Sequence, residues 1–237
     1  VDTEAVDPQT RAMLAEICAT HGLDAIISTD GDADRPMLTN AAGIVVPGDI
    51  LGVLTSRVVG AKVICTPVSS NDMVQRLPEF DTVHLTRIGS PFVVAAMEAA
   101  IADGAPGVVG FEANGGYLLG FDAQIEGPLS PLMTRDCMLP IVAPLAAARA
   151  ASVTVAQLVA GLPACFTAAD RVQDIDRAKA ADLLERLISS APEREAFFAS
   201  AGPIASTDLT DGLRVNFEDG CVVHLRPSGN APEFRIY

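Results

Sequence analysis

Residues 28–36 read Ser-Thr-Asp-Gly-Asp-Ala-Asp-Arg-Pro, with carboxylates at Asp30, Asp32 and Asp34. Three carboxylates at alternate positions repel one another unless something neutralises them. A hard divalent cation does so with oxygen ligands, and Mg²⁺ keeps open positions for a substrate phosphate. A solvated acidic turn is the alternative. An EF-hand calcium loop begins in the same way, but it needs Gly where this chain has Arg35 and Glu where it has Ala41. Calcium sensing is therefore excluded.

Two further loops carry polar chemistry beside glycines. Gly110-Phe111-Glu112-Ala113-Asn114-Gly115-Gly116 follows an apolar run. Glu112 and Asn114 have the groups to hydrogen-bond sugar hydroxyls, and the glycines allow close approach; the alternative is a glycine-rich turn with incidental polar groups. Arg226-Pro227-Ser228-Gly229-Asn230-Ala231-Pro232 offers a forked guanidinium, two further donors and a backbone nest. That set suits a phosphate, or else forms an ordinary polar turn between strands. The net charge of −14 repels nucleic-acid backbones and anionic lipid, so neither is expected as a partner. Any anion must bind in a local basic pocket.

The elements that position these loops follow from apolar patterning. Asp7-Pro8 starts a helix that stops near Gly22, and residues 24–29 read as a short buried strand leading into the acidic loop. Strands at 61–66, 82–86 and 107–112 alternate with helices. Asp49 is the expected cap of a helix through Val58, Ser70 of a short one through Leu77, and Ser90-Pro91 of one ending near Gly104. This alternation predicts an α/β fold with a mostly parallel sheet in three layers. Residues 134–151 read as a helix interrupted by Pro140 and Pro144. Beyond a linker at 152–164 the texture changes. Asp176 caps an amphipathic helix, and turns at Asp211-Gly212 and Asp219-Gly220 predict a small α+β domain with an antiparallel sheet.

With 49% apolar residues the chain can build a real core. Its five cysteines are widely spaced, with no CxxC, which speaks for reduced thiols and a cytoplasmic location. The longest apolar run, 138–148, contains two prolines and falls far short of the ~20 residues of a membrane span. No signal peptide is visible, and the start at Val1 rather than Met points to a fragment or a processed product.

Taken in order, DGDADR, FEANGG and RPSGNAP resemble the phosphohexomutase family, which includes phosphoglucomutases and phosphomannomutases. Its pattern is DGDGDR for the metal, GE-x-SG or similar for the sugar, and RPSGTEP or similar for the phosphate. Thr86-Arg87-Ile88-Gly89-Ser90 is similar to the family's stretch before the sugar loop, with Ser90 where some members have His. The resemblance implies Asp30, Asp32 and Asp34 as Mg²⁺ ligands and Arg35 as the catalytic residue beside the transferred phosphoryl group. It implies Arg87, Gly89, Ser90, Glu112, Asn114, Arg226, Ser228, Gly229 and Asn230 as substrate-binding residues.

It also implies a division into the tail of a second mutase domain (1–47), a third domain (48–151), a linker (152–164) and a fourth domain (165–237), with N-terminal mutase domains as missing partners. The implied activity interconverts hexose 1-phosphate and hexose 6-phosphate, of mannose and/or glucose, through a phosphoserine enzyme and a bisphosphorylated sugar. The family's upstream serine, often in a Ser-His-Asn-Pro setting, has no counterpart, since Ser69-Ser70-Asn71 lacks the His and the Pro. The chain alone is therefore expected to be inactive. The alternative is a non-catalytic module that binds sugar phosphates.

Overall fold

The carboxylate of Asp7 accepts a hydrogen bond from Thr10 N at 2.9 Å, and Pro8 occupies the first turn of the helix it caps. The computed structural model describes Thr3, residues 6–227 and residues 233–237. Contacts divide the chain into two units, Val1–Cys165 and Phe166–Tyr237.

In the first unit, α1 (Pro8–His21) precedes an antiparallel pair, β1 (Ile27–Thr29) and β2 (Pro36–Leu38), with the acidic loop between them. Then come α2 (Gly48–Val59), β3 (Val63–Pro67), a 3₁₀ turn (Asp72–Arg76), β4 (Thr82–Thr86), α3 (Ser90–Ala102) and β5 (Val108–Phe111). The remaining strands are β6 (Tyr117–Leu119), the small pair β7 (Ala123–Gln124) and β8 (Pro128–Leu129), and β9 (Leu132–Asp136). The helices α4 (Leu139–Ala151) and α5 (Val155–Ala160) complete the unit.

The main sheet runs β4-β3-β5-β6-β9. β3 pairs parallel with β4 and β5, whereas β6 and β9 add antiparallel partners, so the sheet is mixed. Alternation along β3 sends Ile64 into one core with Leu51 and Leu54 of α2, and Val63 and Cys65 into another with Val93 and Met97 of α3. These are the three layers.

Several local expectations change. The strand ahead of the acidic loop is short, and Ile27 on it is exposed. Asp49 does not cap α2 from outside; it is buried in the first turn and accepts from Ile50 N and Asn71 N. Asn71, not Ser70, caps the 3₁₀ turn. Gly89 precedes α3, which frees the Ser90 hydroxyl for another partner. Thr134 to Asp136 belong to β9, not to a helix. The short helical stretch that the sequence suggests at 155–162 is α5, and Val155 and Leu162 are buried in the first unit's core. Apolar burial therefore carries that unit through to Cys165.

The second unit contains β10 (Asp170–Gln173), α6 (Arg177–Ser189), α7 (Ala191–Phe197), β11 (Ile204–Asp208), β12 (Leu213–Phe217), β13 (Val222–Pro227) and β14 (Glu233–Ile236). Its sheet is antiparallel throughout, in the order β10-β14-β13-β12-β11. Ala180 and Leu187 of α6 bury against Leu213, Val215 and Leu225. All five cysteines are free. No helix among the described residues is long and apolar enough to cross a membrane.

Candidate active site

The acidic loop is a tight six-residue connection between β1 and β2. Asp30 closes it: its amide donates to Arg35 O at 3.3 Å, and its Oδ1 accepts from Asp34 N and Arg35 N at 3.3 and 3.4 Å. Ala33 sits at φ 57°, a left-handed conformation that costs a non-glycine residue free energy. Asp32 is exposed. Asp34 is half-buried, and its Oδ1 is an inaccessible oxygen that receives no hydrogen bond.

Two arginines supply the positive charge. Arg35 Nε lies 3.7 Å from Asp30 Oδ2 and 3.9 Å from Asp34 Oδ1. Arg135, projecting from β9, brings one guanidinium nitrogen to 2.5 Å from Asp34 Oδ2 and the other to 3.6 Å from Glu112 Oε2. One side chain thus spans the acidic loop and the glycine-rich loop. Arg135 was absent from the residues expected from sequence, because Thr134-Arg135-Asp136 reads there as helix. The antiparallel pairing of Tyr117 with Asp136 is what brings Arg135 to the site, and nothing local announces it.

Glu112 stands just past the carboxyl end of β5, where open α/β sheets bind ligands. Only 5% of it is exposed. Ser90 Oγ donates to Glu112 Oε2 at 3.0 Å, so a loop at the carboxyl end of β4 orients this carboxylate. Asn114 is also buried, and its Oδ1 accepts from Gly116 N at 3.0 Å, closing the turn. Glycines let the loops nest. A Cβ on Gly115 would lie 2.7 Å from Pro36 Cγ, and one on Gly116 would lie 2.8 Å from Arg135 Cδ. Arg87 stacks its guanidinium 4.7 Å from the Phe92 ring centroid, beside Gly89 at φ 128°.

The donor set fits a hard cation: Asp30, Asp32 and Asp34 supply only oxygens, and Asp34 Oδ1 is buried without a hydrogen bond. Among the described residues, however, no three acidic, His or Cys side chains already form a metal cluster. Guanidinium groups neutralise the loop instead.

In the second unit Arg226 lies on β13, with Nε 3.1 Å from Asp211 Oδ1. Beside it His224 is buried, its Nε2 on the carbonyl of Asp211. Burial pushes the His224 pKa below the ordinary value. Ser228, Gly229 and Asn230 lie outside the described residues.

The chain thus holds a three-layer α/β domain in which one arginine bridges an acidic loop and a buried glutamate. Residues 47–166 match the family model "Phosphoglucomutase/phosphomannomutase, alpha/beta/alpha domain III". The chain belongs to the phosphoglucomutase/phosphomannomutase family. It is 43% identical to a phosphomannomutase of Sinorhizobium fredii over 240 aligned residues, covering 100% of this chain and 50% of the relative. A phosphomannomutase of Salmonella muenchen is 39% identical, with 100% and 49% covered. A probable phosphoglucosamine mutase of Methanothermobacter thermautotrophicus is 29% identical, with 99% and 47% covered.

The chain therefore spans about half the length of the curated relatives it matches. In fold it resembles a phosphoglucomutase/phosphomannomutase family protein of Burkholderia thailandensis, with a TM-score of 0.68 at 19% identity, covering 97% of this chain and 46% of that one. It also resembles the parafusin phosphoglucomutase of Paramecium, with a TM-score of 0.67 at 17% identity, covering 95% and 43%.

Proposed function

We propose that the protein to which this chain belongs is a phosphohexomutase acting on mannose phosphate and/or glucose phosphate, converting the 1-phosphate to the 6-phosphate. The observation that carries this reading is Arg135, whose guanidinium lies between Asp34 of the acidic loop and Glu112 of the sugar loop. Phosphoryl transfer to a sugar needs those two functions side by side. Mannose is favoured by the names of the two relatives of highest identity given above.

In this reading Asp30, Asp32 and Asp34 hold Mg²⁺. When bound, the ion supplies charge neutralisation for a phosphoryl group in transfer. Arg35 points its guanidinium at the same place. Glu112, held by Ser90, accepts from sugar hydroxyls. Arg226, with Ser228, Gly229 and Asn230, grips the phosphate that is not being transferred, and Arg87 adds positive charge for the substrate. Their work is to position the substrate and stabilise charge.

The test is a coupled assay of the full-length protein with mannose 1-phosphate, glucose 1-phosphate and glucosamine 1-phosphate at varied Mg²⁺. Mannose 1-phosphate is expected to give the highest kcat/KM. Turnover of none of the three would sink the proposal. The 237-residue chain by itself is expected to turn over none of them, because the family's donor serine has no counterpart in its sequence.

A further inference from the structure

Arg135 is built into the site. Its side chain passes over the sugar loop where that loop has no side chain: a Cβ at Gly116 would lie 2.8, 3.0 and 3.3 Å from its Cδ, Cγ and Cβ. The guanidinium ends at Asp34 Oδ2 at 2.5 Å, closer than its 3.6 Å approach to Glu112. Asp34 is also the carboxylate whose second oxygen is buried without a hydrogen bond. A cation that took Asp34 as a ligand would need the oxygen that Arg135 now holds, or would lie against the guanidinium and be repelled by it.

We propose that Arg135 is an internal counter-ion that competes with the divalent cation for Asp34. Cation binding then sends the guanidinium toward Glu112 and the sugar side of the site. The two loops are thereby coupled: metal on the acidic loop places a positive charge beside the sugar. This inference rests on the metal reading of the acidic loop given above. It adds a residue and a direction of exchange to that reading.

The experiment is Mn²⁺ binding to the 237-residue chain, followed by electron paramagnetic resonance of free Mn²⁺, with no sugar phosphate present. Three variants accompany the wild type. Arg135→Gln removes the competing charge. Gly116→Ala keeps the charge but fills the path of the side chain, and its backbone φ lies outside the left-handed region, so Ala is tolerated there. Arg149→Gln, exposed at the end of α4, controls for overall charge.

If Arg135 competes, Arg135→Gln and Gly116→Ala both tighten Mn²⁺ binding, by about two- to fivefold for an ion pair of ordinary strength, while Arg149→Gln changes little. Equal binding in all four proteins overturns the competition and leaves the metal site standing. Weaker binding in Arg135→Gln makes Arg135 a supporter of the site and overturns it too. Tightening shared by Arg149→Gln reduces the effect to bulk charge, which is also a refutation; tightening in Arg135→Gln but not in Arg149→Gln supports the competition, whatever Gly116→Ala does. If no form binds Mn²⁺, the metal reading itself fails, and this inference fails with it.

Discussion

Asp211 Oδ1 lies 3.1 Å from Arg226 Nε, and Asp211 reaches it from the turn between β11 and β12. The turn fits closely: a Cβ on Gly212, at φ 83°, would run into the carbonyl of Leu225. The aspartate occupies the Nε edge of the guanidinium. In the proposed function the rest of the fork is what meets the phosphate. Asp211 is thus placed to hold the fork in one orientation.

Arg226→Ala in the full-length enzyme is expected to lower kcat/KM at least about tenfold, since charge-assisted hydrogen bonds are worth about 1.5–3 kcal/mol each. Asp211→Asn keeps the shape and loses the charge, and about a three- to tenfold loss is expected from a weakened hydrogen bond. Both changes should leave the Mg²⁺ dependence of the rate unaltered, because the acidic loop belongs to the other unit. Steady-state kinetics at varied sugar phosphate and varied Mg²⁺ will show it. An unchanged kcat/KM in Arg226→Ala would remove that residue from phosphate binding.

The parts legible in the sequence were those whose physics is local. Thr82–Thr86 reads as a strand and is one, and Asp176 caps α6 as its type dictates. The buried parallel strands show as continuous apolar runs because both faces are covered. The acidic and glycine-rich loops could be found from composition alone. What stayed hidden depended on pairing across distance. β6 and β9 are short, and their register is set by partners remote in sequence, so Arg135 was placed in the wrong element. Asp49 looked like a surface cap because Asp favours that role. Its burial is decided by the loop carrying Asn71, 22 residues on, which no local pattern reveals.

The burial of His224 predicts a pH effect on the second unit. Nε2 faces the carbonyl of Asp211, so it must carry the proton, and Nδ1 receives no hydrogen bond. A second proton would make a buried cation near Arg214 and Arg226, offset in part by Asp211. The folded pKa is below the ordinary 6.5, mainly through burial. The unfolded chain therefore binds more protons as pH falls below about 6.5, and stability declines with it until the folded pKa is passed. Urea unfolding at pH 7.5, 6.5 and 5.5 should show this decline. It should be shallower in His224→Gln; a parallel decline there would assign it to other groups.

Asp49→Ala should be costly without touching the proposed catalytic groups. The carboxylate is buried in the first turn of α2 and accepts from Ile50 N and Asn71 N, both at 2.8 Å. Alanine leaves two buried amides without an acceptor, and such losses cost about 1–3 kcal/mol each. A total of about 2–6 kcal/mol is expected, read from the urea midpoint. Asp49→Asn, which keeps one acceptor, should fall between. Activity should suffer too, because a Cβ at the preceding Gly48 would collide with the backbone of Ala113 and Gly115, so this end of α2 is the seat of the glycine-rich loop that carries Glu112.

Ala33→Gly tests the acidic loop itself. Ala33 holds φ 57°, where its Cβ crowds the backbone at a cost of about 1–2 kcal/mol. Glycine removes that strain but gives back about 0.5–1 kcal/mol through the greater freedom of the unfolded chain. The net expectation is a gain of about 0.5–1 kcal/mol, or a rise in Tm of about 1–4 °C for the unit that carries the loop. Ala33 is exposed, so no packing is lost to confuse the result. The same substitution bears on metal binding. If the alanine holds the loop in the one turn that aligns Asp30, Asp32 and Asp34, glycine loosens that alignment, and Mn²⁺ affinity falls even as stability rises. If the turn is held instead by the hydrogen bonds of Asp30 to Asp34 N and Arg35 N, glycine leaves the affinity unchanged. Those bonds close the loop without help from residue 33, and the second outcome is the one expected. A fall in Tm on Ala33→Gly would show that the left-handed turn is not strained in this protein.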